Sequence, residues 1–97
     1  MNKVIIKVKE IRGNCAVFKG GESIVIDGPE IDLDMTDKLC IHALVSLLHY
    51  VVALREGVPP AKLGLAKKGD KAYVQCVDPG EPYTAGGTVI FEITRED

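Results

Sequence analysis

Cys15, Cys40 and Cys76 are the residues of this chain whose chemistry stands out. A thiolate is a nucleophile and a ligand for zinc or an iron–sulfur cluster. Three thiolates can hold a zinc ion with one further ligand, or a cluster with one open iron. The candidate fourth ligands are His42, two residues after Cys40, and Asp78, two residues after Cys76. Cys40 falls in the first turns of an expected helix, where the dipole and unpaired N–H groups favour an anionic sulfur. The spacing argues the other way. The chain has no Cys-x-x-Cys pair, and two ligands close in sequence are the usual mark of a metal site. Free cysteine is also a common core residue, so the thiols merely filling the core is the alternative. A third reading is a thiol-dependent enzyme with Cys40 as nucleophile and His42 or His49 nearby.

The other patterns carry less. His42 and His49 are seven residues apart on one helical face. That is too far for two ligands on one metal, and the His-Glu-x-x-His zinc spacing is missing. Gly20-Gly21 and Gly86-Gly87 each lead into a strand, not a helix, so they read as turns and not as phosphate cradles. The acidic run Glu30–Asp37 lacks the ligand spacing and glycine of an EF-hand. Ser23 and Ser46 lack the flanking glycines of a nucleophile elbow.

Composition narrows the field. With 97 residues, 46% of them hydrophobic and 27% charged, the chain is expected to form a single globular domain over residues 1–97. The 14 acidic and 12 basic residues leave a net charge of -2, which excludes a basic nucleic-acid footprint. Tryptophan is absent and few aromatics remain for stacking on bases. No apolar stretch is long enough for a membrane span. Lys3, Lys7, Lys9 and Glu10 interrupt the first apolar run, unlike the core of a secretory signal. The expected location is cytoplasmic, where an odd cysteine count does not build a disulfide framework.

Positioning the cysteines falls to a few elements. Val4, Ile6 and Val8 alternate with Ile5, Lys7 and Lys9, which predicts a strand over Lys3–Ile11. Cys15–Phe18 reads as a possible continuation into a second strand, and Ser23–Asp27 as a short strand before Gly28-Pro29. The acidic run suits a helix N-terminus, with Asp34 or Thr36 as N-cap. The helix is expected over residues 35–56, stopped by Gly57 and Pro59-Pro60. Lys71–Val77 and Thr88–Arg95 read as the last strands. The fold class is α+β: a mostly antiparallel sheet in β-β-α-β-β order with one long apolar helix on one face. Cys40, Leu44, Leu47, Val51 and Leu54 form one apolar stripe of that helix, and Ile41, Val45, Leu48 and Val52 a second beside it. Two stripes exceed what one sheet face covers, so a homo-oligomer, dimer or higher, through helix 35–56 is expected.

In order and spacing the chain resembles a small family of bacterial and archaeal proteins of about this length with three patterned cysteines. Its pattern is Cys…Gly-Asp…Cys-Pro-x-Ala…Cys-Pro-Asp, closing on a Val-x-Phe-x-Ile strand. The matching pieces here are Val4–Val8, Cys15, Leu39–Ala43, Leu54–Gly57, Cys76–Pro79 and Val89–Ile93. Gly21-Glu22 stands for Gly-Asp, while Ile41 and Val77 replace the two prolines. The resemblance brings no reaction. It implies that Cys15, Cys40, Cys76 and Asp78 belong to one pattern, as a shared thiol site would require.

Overall fold

The alternation of the first strand becomes the spine of the sheet. In the computed structural model, which describes residues 2–96, β1 runs Lys3–Gly13, β2 Ser23–Asp27, β3 Glu30–Ile31, β4 Ala72–Gln75 and β5 Gly87–Glu96. One helix, α1, spans Ile41–Arg55. The sheet order is β3-β2-β1-β5-β4 with every pairing antiparallel. The helix packs on one face, so the α+β architecture read from the sequence is the one observed.

The inward residues are those the period of two selects. Val4, Ile6 and Val8 of β1, Ala72 and Val74 of β4, and Val89, Phe91 and Ile93 of β5 are all buried. The register of β1 against β5 slips between Val8 and Glu10. That bulge reverses the facing of every later residue. Without it Glu10 would point into the core. With it Glu10 stays exposed, and Ile11 packs against the core opposite Val89. From the helix, Ala43, Leu47, Val51 and Leu54 close the core. Phe18 reaches in from the β1–β2 connection and meets Phe91 edge to face, with ring centroids 5.5 Å apart.

Three expectations need correction. The helix starts at Ile41, not at Met35. Residues 32–37 serve the sheet edge instead: Asp32 donates its N–H to the Val25 carbonyl at 2.8 Å, and Thr36 Oγ1 and Asp37 Oδ2 accept from Val25 and Ser23 N–H at 3.0 and 2.8 Å. Asp32 Oδ1 also accepts from Asp34 and Met35 N–H, which fixes a turn. Asp34 and Thr36 are therefore not caps, and Cys40 is the N-cap. Secondly, Cys15–Phe18 is a bend and not a strand. Thirdly, the two-residue β3 and a 3-10 turn at Pro60–Leu63 were not legible in the sequence.

The helix C-terminus follows its signal. Gly57 adopts φ 87°, its N–H bonds to the Leu54 carbonyl, and Val58 N–H bonds to the Ala53 carbonyl. These are the two bonds of a Schellman motif. Arg95 Nε donates to the Arg55 carbonyl at 2.8 Å, and Arg55 Nη1 to the Gly28 carbonyl at 2.9 Å, tying this end to the strands. Both cations sit where the helix dipole is negative.

Truncating Phe91, which is fully buried in the centre of this core, is expected to be costly. Phe91→Ala should lower the free energy of unfolding by about 3–5 kcal/mol. Urea titration followed by circular dichroism measures this, and a loss below about 1 kcal/mol would mean that the core is not built around this ring.

Candidate functional site

The three cysteines lie on three different elements, yet all three line one cleft of about 460 Å³. The cleft opens where β1 exits, α1 begins and the β4–β5 loop turns. His42 and Asp78 line it too. The five sequence candidates thus share one cavity.

Cys15 follows the last residues of β1. It is half-buried, and its sulfur accepts the Phe18 N–H at 3.3 Å. The thiol thereby stabilises the bend that sends Phe18 into the core, as a serine hydroxyl does in similar turns. Cys40 is half-buried with extended backbone (φ -126°, ψ 126°), and its carbonyl accepts the Ala43 and Leu44 N–H groups. No side chain caps the helix start, and no acidic residue lies in the first turn. The N-terminal end of the helix thus lies at the cleft with no capping side chain or acid of its own first turn. Cys76 is 6% exposed. It prolongs β4 by an N–H bond to the Val89 carbonyl, and its sulfur lies 3.9–4.0 Å from the Asp78 and Gly87 carbonyl oxygens and Thr88 Oγ1.

Asp78 is the most constrained polar group of the cleft. Its Oδ1 accepts from the Thr84 hydroxyl and from Gly80 N–H. The Thr84 bond first, then the Gly80 bond, hold the carboxyl below its ordinary value, and the charge of nearby His42 acts in the same direction. Its Oδ2 lies over Gly86, where any Cβ would collide with it. Gly87 meets an equally close demand. A Cβ there would stand 2.5 Å from the Arg12 carbonyl oxygen and the Asn14 amide nitrogen. The glycine pair read as a plain turn is what lets β1 and Asp78 close around the cavity. Sequence reasoning missed this, because a turn and a close approach use the same residue type.

The candidates do not all stand as one set. Among the described residues, no group of three or more His, Cys, Asp or Glu is placed so that it could hold a metal ion. His49 lies elsewhere, in the groove between α1 and β4, with its ring edge to face against Tyr50. It does not join Cys40, so the catalytic pairing with His49 is not assembled. Val17, Leu39 and Ile41 supply apolar wall, and Asn14 a polar one. The chain matches no protein-family model, no curated protein and no solved structure.

The bonds to Asp78 have a measurable consequence. Thr84→Val should raise the carboxyl titration of Asp78 toward the ordinary aspartate value, as read by carbon-detected NMR. Because the folded carboxyl titrates low, Asp78 contributes stability that is fully present above its unfolded value. That stability is lost as pH falls through the folded one. Denaturation at pH 7 and pH 3 should therefore show a smaller acid-induced loss in Asp78→Asn than in the parent chain. Equal losses would show that these bonds do not hold the carboxylate.

Proposed function

We propose that this protein is a small, non-catalytic binding module and that the three-cysteine cleft is its binding site. One observation carries the reading: Cys15, Cys40 and Cys76, drawn from three elements, line a single cavity with His42 and Asp78. A cavity of this volume is within the range of about 300–1,000 Å³ common to small-molecule sites. The resemblance to the three-cysteine family supports the same grouping. A metal form of the reading uses Cys15, Cys40 and Cys76 as ligands to zinc or an iron–sulfur cluster, with Asp78 or His42 as the fourth. It requires the thiols to move together first, as metal binding coupled to local folding allows.

Anaerobic reconstitution with zinc decides between the forms. One zinc per chain, lost in Cys40→Ser, would establish the metal site. A folded chain that retains none would leave the cleft to an organic ligand. In the folded chain, maleimide is expected to label Cys15 and Cys40 well before the buried Cys76. Equal labelling of all three would refute the described cleft.

A second reading rests on the other helix stripe. Ile41 and Val45 are 77% and 67% exposed, and Leu48 and Val52 follow them at about half exposure. A continuous apolar face on a helix is a mark of protein contact. It supports the homo-oligomer expected from the sequence, with the interface moved to residues 41–55. Sedimentation at micromolar concentration should show a dimer or higher. Val45→Lys should shift it to monomer without unfolding the chain, since Val45 contributes little to the core. A parent chain that sediments as a monomer would end this reading.

A further inference from the structure

The cleft holds one carboxylate, with His42 as the titratable cationic partner among its walls. Among the described residues lining it, Asp78 is the single carboxylate, and no lysine or arginine lines it. Both hydrogen bonds to Asp78 fall on Oδ1, from Gly80 N–H and the Thr84 hydroxyl. Oδ2 is left over the bare face of Gly86, beside the cavity. A carboxylate whose first oxygen is held by the fold and whose second has no hydrogen-bond partner among the described residues is a preorganised acceptor. Opposite it, Val17, Leu39 and Ile41 supply apolar wall.

We infer that the cleft takes a small organic amine, its ammonium on Asp78 Oδ2 and its apolar body against Val17, Leu39 and Ile41. The inference rests on the cleft being a binding site and specifies the ligand class. Apolar burial supplies affinity that does not depend on charge, and the carboxylate supplies the choice of sign. His42 is the neighbouring titratable group that can compete for Asp78, since its charge acts on that carboxyl. The cavity volume suits a ligand with a single ring.

Benzylamine, benzyl alcohol and benzoate share one ring and differ in charge, so they separate these contributions. Each would be titrated into the full, metal-free chain while amide resonances are followed by NMR. Benzylamine should shift Val17, Ile41, Gly80 and Gly86 and bind about tenfold tighter than benzyl alcohol, with benzoate weakest. In Asp78→Asn, which keeps the shape and the Oδ1 acceptor, benzylamine should lose that advantage while benzyl alcohol binds as before. Equal binding of the three probes, or preference for benzoate, would overturn the amine class while leaving the cleft as a site. Silence of these amides toward all three probes would overturn the inference, and the organic form of the binding reading with it.

Discussion

The bulge in β1 is the constraint on which the rest of this structure depends. β1 and β5 pair from Lys3–Glu96 to Gly13–Gly87, so the two ends of the chain form the centre of the sheet. The sequence of β1 is in phase with the core at Val4, Ile6 and Val8 and out of phase at Ile11. One unpaired residue resolves the conflict. It keeps Glu10 in solvent and returns Ile11 to the core side.

A one-layer sheet with a single helix buries one face of each. The opposite face of the sheet carries a charge network beside buried Val25: Glu92 of β5 accepts from the Tyr73 hydroxyl and lies 3.5 and 3.8 Å from Lys9 and Lys71. The Tyr73 bond first, and then the two lysines, hold the Glu92 carboxyl below its ordinary value. On the helix the same economy leaves the stripe Ile41, Val45, Leu48 and Val52 outside the core. That stripe was legible as surplus from spacing alone, because two apolar stripes on one helix cannot both face one sheet.

What the sequence concealed is instructive in physical terms. The strands and the helix C-terminus were readable because period-two alternation and Gly57 act locally. The helix N-terminus was not. Acidic residues before an apolar run are the signature of a cap, but the Asp32 N–H and the Thr36 and Asp37 side chains bond to β2. Tertiary partners outcompeted the local ones. The same holds for Asp78 and Gly86. An Asp-Pro-Gly stop and a glycine pair each read as a turn, and only their mutual collision distance reveals that they are built around each other.

That the three cysteines line one cleft follows from topology more than from local sequence. β1 leaves the sheet at Gly13, which pairs with Gly87 at the start of β5, and β4 leaves at the same end through Cys76. The helix begins there as well, since Cys40 and Ile41 line the same cleft. Three segments far apart in sequence therefore meet at one edge of an antiparallel sheet, with no short motif to announce it. A glycine that accommodates a carboxylate, an uncapped helix start and three thiols all fall at that one edge. These departures from local rules coincide with the cavity, because the same crowding of three segments that forms the cleft also demands the close glycine approach.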